Sequence, residues 1–116
     1  MPEKPQHAPL TQFALNDDQL IIGHLPIQQL AEQVGCTPFY AYDRQAIDQR
    51  VTELRQILPD QIGLHYAIKA NPLPSVVEYL AERVDGLDVA SAAELQIALD
   101  SGTPADQISF AGPGKT

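Results

Sequence analysis

The stretch LHYAIKANPLPSVVEYLAERVDGLDVASAAEL, residues 64–95, decides the fold because it holds two strands with a helix between them. Residues 64–68 are mostly apolar and predict a buried strand, and residues 87–90 predict the next one. Ser75 and Glu78 have the spacing of a capping box, ahead of a helix whose apolar residues recur at helical spacing. Strands that alternate with helices in this way are typical of a parallel α/β fold.

The same alternation continues on both sides of this stretch. Residues 38–42, PFYAY, predict a strand, and Asp43 can cap the following helix, whose apolar stripe runs from Ile47 to Leu58. Residues 108–111 predict a last strand, ahead of GPGKT. The pattern fits either a doubly wound sheet or a (β/α)8 barrel. A barrel needs about 250 residues, so this chain could supply only its first part.

The N-terminal segment has a different character. Residues 13–15 and 20–22 are short apolar runs around Asn-Asp-Asp and predict a hairpin. Pro26 and Gly35 then bracket a short helix, with proline at the start and glycine at the end. Residues 1–11 are rich in proline and polar groups, and we expect them to be a disordered tail.

Charge and composition exclude several classes of function. The chain has 116 residues and a formal net charge of −8, with its acids scattered, which argues against nucleic acid or an anionic membrane as a partner. No apolar stretch approaches the roughly 20 residues of a membrane span, and the first residues lack the apolar segment of a signal peptide. Cys36 is the single cysteine, so an intrachain disulfide is excluded, and a reduced, cytoplasmic location is predicted.

Lys69 stands where the strand over 64–68 must end, an unusual place for a residue that is seldom buried. Ligands of parallel α/β folds bind at the carboxyl ends of the strands, and the two prolines of ANPLP would hold Lys69 in place. Its position allows two interpretations. Lys69 either extends its amine into water along apolar surface, or presents a desolvated amine that condenses with a carbonyl as a Schiff base.

Three segments in the same order resemble one known family. YAIKANPLPSVVEYLAERVDGLDVASAAEL resembles the lysine region of the fold-type III pyridoxal-phosphate decarboxylases, which include the diaminopimelate, ornithine and arginine decarboxylases. GCTPFYAYD is similar to the family's Gly-Thr-Pro opening, with Cys36 inserted, and ISFAGPGKT to its strand that ends in Gly-Pro-Gly-Lys. The phrases VDGLDVASAAEL and ISFAGPGK look most similar to decarboxylase-like proteins associated with exosortase A systems.

The resemblance implies an α/β fold, the N-terminal part of a TIM-like (β/α)8 barrel of the alanine racemase type. It implies a disordered tail over 1–11, a hairpin and short helix over 12–35 that belong to a second β domain, and the first barrel units over 36–116. The phosphate-binding glycines and the acid that faces the pyridine nitrogen would lie beyond residue 116. We therefore expect a truncated chain that is inactive and poorly folded alone, because its sheet edges are exposed.

The resemblance also assigns the site. Lys69 would be the catalytic lysine that forms the internal aldimine with pyridoxal 5'-phosphate. Asp88 would lie near the lysine and the cofactor ring, although a strand-end acid that pairs with a nearby base explains it equally well. Ala67 shares its face of the strand with Lys69 and would leave room for the ring, or fills the core.

Other residues are further candidates for contact with the cofactor. Ser91 and Glu94 complete a capping box, which explains them structurally, with Glu94 near the active site as the second interpretation. Tyr66 alternates along the strand with His65. We expect His65 to pack against the outer helices, and no residue pattern at metal-ligand spacing predicts a metal site. Lys115 is predicted to be a loop lysine.

The function that the resemblance implies is that of a lyase, a pyridoxal-phosphate-dependent decarboxylase of an amino acid or related amine, homodimeric at full length. A non-catalytic pyridoxal-phosphate carrier and an amino-acid racemase are alternatives on the same barrel. A nucleotide-binding module is the third alternative. GPGKT fits the end of a Walker A loop, but the first glycine would have to stand where Ser109 is.

Overall fold

The computed structural model describes residue 3 and residues 13–112. The tail predicted over 1–11 therefore lies outside the described residues except for Glu3, and so do Lys115 and most of GPGKT. The chain divides into two compact units, Met1–Arg50 and Val51–Thr116. Within the described residues, no helix combines the length and the apolar character that crossing a bilayer requires.

The first unit contains a small antiparallel sheet. Its strands are β1 (Ala14–Asn16), β2 (Gln19–Ile22) and β3 (Leu25–Pro26), in the order β1-β2-β3. Asp17 and Asp18 both have positive φ, 50° and 62°, as a two-residue hairpin turn of type I′ requires. The predicted hairpin is confirmed. β3 was not predicted, because two residues are too few to show a pattern.

Helix α1 (Ile27–Val34) follows directly. Pro26 precedes its first turn, and Gly35 ends it in the left-handed conformation at φ 84°. The Gly35 N–H donates to Ala31 O at 2.9 Å, which satisfies a carbonyl of the last turn. The helix predicted between Pro26 and Gly35 is therefore confirmed.

The strand predicted over 38–42 is not formed. Tyr40 is 89% exposed, and its ring stacks on Tyr42 with centroids 6.4 Å apart. Extended backbone becomes a strand only where its peptide groups pair with a neighbour, and no strand within residues 13–112 pairs with this segment. Asp43 nevertheless caps α2 (Arg44–Ile57) as predicted, because its Oδ1 accepts from the Gln45 N–H at 2.9 Å.

The second unit is built on a parallel sheet in the order β4-β5-β6. This sequential order is the one expected at the start of a barrel, whereas a doubly wound sheet reverses its order at a switch point. The elements are β4 (His65–Ala67), α3 (Pro74–Ala81), β5 (Gly86–Val89), α4 (Ala92–Asp100) and β6 (Ile108–Phe110), with 3-10 turns at Ile68–Ala70 and Ala105–Gln107.

The core of this unit lies between the sheet and its helices. A large apolar side chain stabilises a fold by about 1.5–3 kcal/mol when it is fully buried. The buried cluster consists of Ile68, Val77, Leu87, Val89 and Ala98. Every β5 member of the cluster is an odd-numbered residue, so only one face of the strand contributes to it.

The two predicted capping boxes have different outcomes. α3 begins at Pro74, with Leu73 before it and no side-chain cap, so the Ser75–Glu78 box is wrong. The first turn forms without such a box, because proline has its φ preset for a helix and has no N–H of its own, and the Val76 N–H donates to Leu73 O at 3.0 Å. Ser91 does cap α4, where its side chain accepts from the Glu94 N–H.

The amino-terminal end of β4 is tied to α2 through one carboxylate. Asp85 Oδ2 accepts from Arg55 Nη1 and from the Leu64 N–H, both at 2.6 Å. The bond from Arg55, and then the bond from Leu64, lowers the pKa of Asp85, while the same carboxylate raises the pKa of Arg55. This anchor lies at the end of β4 opposite to Lys69.

Candidate functional site

Lys69 lies in the 3-10 turn Ile68–Ala70, directly after the carboxyl end of β4, and its side chain is exposed. The preceding residue, Ile68, is fully buried in the core. The Asn71 N–H donates to Ile68 O at 3.1 Å and closes the turn. The backbone of Lys69 is therefore held between a buried side chain and a hydrogen bond, while its amine is left accessible.

The loop after Lys69 is fixed by two further hydrogen bonds. The Tyr66 hydroxyl donates to Asn71 O at 2.9 Å, and Asn71 Oδ1 accepts from the Leu73 N–H at 3.1 Å. Pro74 then starts α3. Tyr66 is half-buried against the core cluster, so it braces the turn from the helix side of the sheet.

The other face of the sheet carries polar and small residues. The register pairs Ala67 with Asp88 and Asp88 with Ser109, so the three form one row across β4, β5 and β6. Neighbours along a row of strands are about 4.8 Å apart. Because Leu87 and Val89 face the helices, the alternation of a strand directs Asp88 to the opposite side.

His65 lies on this open face as well, which contradicts the expectation that it packs against the outer helices. Its Nδ1 is 2.9 Å from Asp88 Oδ1, and the side chains are 38% and 48% exposed. The physical reason is strand alternation, since His65 shares its face with Ala67 and not with Tyr66. Of the two interpretations of Asp88, pairing with a nearby base is thus observed.

Gly86 makes the contact between His65 and Asp88 possible. It is the register partner of His65, and a Cβ added to it would lie 2.7 Å from His65 Cε1 and 2.6 Å from Gln107 O. Any other residue would displace the imidazole or the backbone. His65 and Gly86 were not predicted as site residues, although the two-residue alternation of both strands was a signal that could have found them.

Ser91 and Glu94 lie at the start of α4, just beyond the carboxyl end of β5. The Glu94 N–H donates to Ser91 Oγ at 3.1 Å, and Glu94 Oε1 accepts from the Ala90 N–H at 3.2 Å. Both residues are half-buried. The Glu94 carboxylate is therefore held at the same end of the sheet as the Lys69 turn.

The donor set of this edge matches pyridoxal phosphate. An accessible amine, which can attach a carbonyl compound, follows a strand whose last residue is the small Ala67, beside the carboxylate of Asp88. A metal centre is not suggested, because no group of three or more His, Cys, Asp or Glu could hold an ion in the part of the chain that the structure describes.

Comparisons with known proteins also point to pyridoxal phosphate as the cofactor. A family model described as pyridoxal-dependent decarboxylase, pyridoxal binding domain, matches residues 44–116. Diaminopimelate decarboxylase of Aquifex aeolicus is 38% identical over 100 residues, which are 86% of this chain and 23% of that protein. Lysine/ornithine decarboxylase of Selenomonas ruminantium is 34% identical over 89 residues, 77% of this chain and 22% of that protein.

The fold is similar to that of solved structures. A crystal structure from Aquifex aeolicus matches with a TM-score of 0.80 and 36% identity, over 92% of this chain and 26% of the other. The chain thus spans about a quarter of the length of the proteins that it matches. Its parallel units are the N-terminal part of a TIM-like barrel, as predicted.

Proposed function

Because the chain belongs to the pyridoxal-dependent decarboxylases, we propose that the whole protein removes the carboxyl group of an amino acid or related amine. Pyridoxal phosphate is the cofactor of this family. When bound, it supplies an electron sink for the electron pair that remains as carbon dioxide leaves. The residues of this chain hold and orient it.

Lys69 is the residue that attaches the cofactor in this proposal. The supporting observation is the braced turn Ile68–Ala70, which presents the amine at the carboxyl end of β4 from a backbone tied to the core. A lysine on a free loop would lose conformational entropy each time it reached a ligand, whereas this turn is already ordered.

Asp88 and Ala67 form the adjoining wall of the site. We propose that Asp88 places a negative charge beside the cofactor, and that Ala67 leaves space for the ring because its side chain is a single methyl group. Glu94 and Ser91 are proposed to act at the rim, where the capping hydrogen bonds already fix the Glu94 carboxylate. Tyr66 supports the Lys69 turn from the helix side of the sheet, through its hydrogen bond to Asn71 O.

We propose an α-amino acid with a second amino group as the first substrate to test. Both relatives are named for such compounds, diaminopimelate in one case and lysine and ornithine in the other. We also propose that the whole protein is a homodimer and that residues 12–35 contribute to a second β domain. The likeness to proteins of exosortase A systems stays a prediction.

Residues 1–116 by themselves are proposed to be inactive and poorly folded. The residues that bind the phosphate group are expected elsewhere in the protein, and the row Ala67-Asp88-Ser109 on one face of β4-β5-β6 carries side chains exposed to solvent at Asp88 and Ser109. Thermal unfolding of the isolated piece is the check. A sharp cooperative transition, or any release of carbon dioxide, would contradict this proposal.

The decisive experiment is chemical trapping on the full-length protein. Pyridoxal phosphate is added, the complex is reduced with borohydride and digested, and the modified peptide is identified by mass. We expect the label on Lys69, its loss in Lys69→Arg, and an unchanged label in Lys4→Arg as the matched control. A label on another lysine, or none, would refute the role of Lys69.

A second arm tests the reaction itself. Full-length protein loaded with pyridoxal phosphate, without borohydride, is assayed for carbon dioxide release from diaminopimelate, lysine and ornithine, and the chirality of recovered substrate is measured. Carbon dioxide from at least one compound supports a decarboxylase. Racemised substrate without carbon dioxide would mean that the racemase alternative is correct, although the cofactor assignment would stand.

A further inference from the structure

The pair formed by His65 and Asp88 has features that a chance surface contact lacks. His65 reaches Asp88 diagonally, from β4 to the residue two positions beyond its own register partner, Gly86. The imidazole lies over Gly86, where a Cβ would be 2.7 Å from Cε1 and 2.9 Å from Nε2. The strand thus has a residue without a side chain at the one place where the ring needs room.

The direction of the hydrogen bond follows from the ionisation of Asp88. An ionised carboxylate only accepts hydrogen bonds, so whenever Asp88 is ionised the donor is Nδ1 of His65 and the acceptor is Asp88 Oδ1. Within residues 13–112 this is the hydrogen bond that Asp88 makes, so its second oxygen is left for another partner. The row Ala67-Asp88-Ser109 places the Asp88 side chain on the same face as Ala67, the last residue of β4 before the Lys69 turn Ile68–Ala70.

We propose that His65 is a positioning residue, which holds the Asp88 carboxylate in one orientation on the open face so that its free oxygen serves the cofactor site. This inference rests on the proposed function. A lone aspartate on a strand face can adopt several rotamers, whereas one anchored through Oδ1 presents Oδ2 in a single direction. Preorganised carboxylates bind cationic and hydrogen-bonding partners at lower entropic cost.

The pair itself is tested by NMR of the full-length protein with labelled histidine. We expect a hydrogen-bonded Nδ1–H resonance, assigned to His65 by its absence from His65→Phe, and we expect Asp88→Ala to abolish it. A histidine signal that is unaffected by Asp88→Ala would overturn the inference, because no bond would then connect the two residues.

The positioning role is tested by cofactor binding without substrate. His65→Phe keeps a ring over Gly86 but no donor, and we expect a dissociation constant for pyridoxal phosphate about three- to tenfold higher, the value of one lost hydrogen bond. His65→Gln keeps an N–H donor and is expected to bind within about twofold of wild type. Equal affinity in all three proteins, or equal loss in both variants, would overturn the inference.

The two proposals fail in different ways. If wild-type protein is labelled at Lys69 by borohydride but His65→Phe binds the cofactor as tightly, the proposed function stands and the role of His65 is refuted. If wild-type protein takes no label at Lys69, the proposed function fails, and the positioning role fails with it, even where NMR detects the bond. Unfolding midpoints of all variants identify any loss that merely follows from reduced stability.

Discussion

The two faces of the sheet β4-β5-β6 come from the same strands but differ in how deeply their side chains are buried and in how those side chains are held. On one face, Leu87 and Val89 are 0% and 2% exposed and pack with Ile68 against the helices. On the other, the side chain of Asp88 is 48% exposed and is bonded to His65. Residues one position apart therefore belong to a core and to a candidate site.

The difference shows how a short strand serves two purposes. The helix-facing side chains stabilise the fold through burial, which depends on shape and not on direction. The open face contributes little burial, and its residues are arranged by hydrogen bonds and by register instead. Substitutions on the two faces should therefore change different measured quantities, the first stability and the second cofactor binding.

Leu87→Ala tests the helix-facing side and should have the largest effect. Removing a fully buried leucine leaves a cavity, so we expect the free energy of unfolding of the full-length protein to fall by about 3 kcal/mol. Ser109→Ala on the open face is the matched control, with an expected change below about 1 kcal/mol. If urea unfolding shows the same loss of free energy of unfolding for Leu87→Ala and Ser109→Ala, the two faces do not differ in their contribution to stability.

Gly86→Ala should change both measured quantities, the stability of the fold and the binding of the cofactor. The new Cβ would lie 2.6 Å from Gln107 O and 2.7 Å from His65, so backbone and ring must shift. We expect a loss of about 2 kcal/mol in the free energy of unfolding, together with weaker binding of pyridoxal phosphate. Gly63→Ala, whose Cβ would meet nothing closer than 3.8 Å, should be near neutral. A fully stable Gly86→Ala protein would contradict the close approach.

Tyr66→Phe removes the hydroxyl that braces the Lys69 turn from the helix side. Losing its bond to Asn71 O should cost about 1 kcal/mol of stability and slow the attachment of pyridoxal phosphate, measured as the rate of borohydride-trapped label. Tyr40→Phe is the control, since Tyr40 is 89% exposed. If the rate of trapping does not change, the turn is ordered without this bond.

Asp85→Asn should give the smallest effect and a characteristic pH dependence. Because Arg55 and Leu64 lower the pKa of Asp85, its contribution to stability is present above the unfolded value of about 3.9 and is lost as pH falls through the folded value. We expect a Tm about 1–3 °C below wild type at pH 7, since exposed ion pairs contribute little.

That difference should begin to shrink once the pH falls below the unfolded value of about 3.9, and it should disappear only below the lowered folded pKa, where wild-type Asp85 is itself protonated. Thermal unfolding of both proteins from pH 7 down to about pH 2 measures it, with Asp60→Asn as an exposed control. A gap that widens on acidification would show that the carboxylate is not stabilised by its partners.

Local signals in the sequence were sufficient where a structure is held by neighbours in the chain. The Asp43 cap, the Gly35 terminus and the Ser91 cap of α4 all form as predicted, because each depends on bonds within a few residues. The Ser75–Glu78 box has the same pattern but is absent, because the helix begins at Pro74 and Ser75 is already inside its first turn.

Signals that depend on distant partners were less reliable. The apolar segment over 38–42 has strand composition, but strands require a paired neighbour, which the sequence of the segment cannot supply. His65 was assigned to the wrong face because a single strand has two equivalent sides until packing chooses one of them. Once Ile68 and Leu87 face the helices, alternation leaves no choice for His65 and Asp88.

The sequence by itself determined the alternation of strands and helices and the position of Lys69 at a strand end, because periodicity and caps act over short distances. The barrel class came from the resemblance to a known family, since the alternation alone also fits a doubly wound sheet. Only the tertiary structure decided which face of each strand is buried, that Asp88 aligns with Ala67, and that His65 reaches Asp88 across Gly86. These follow from the register between strands, which is set by packing of the whole sheet against its helices.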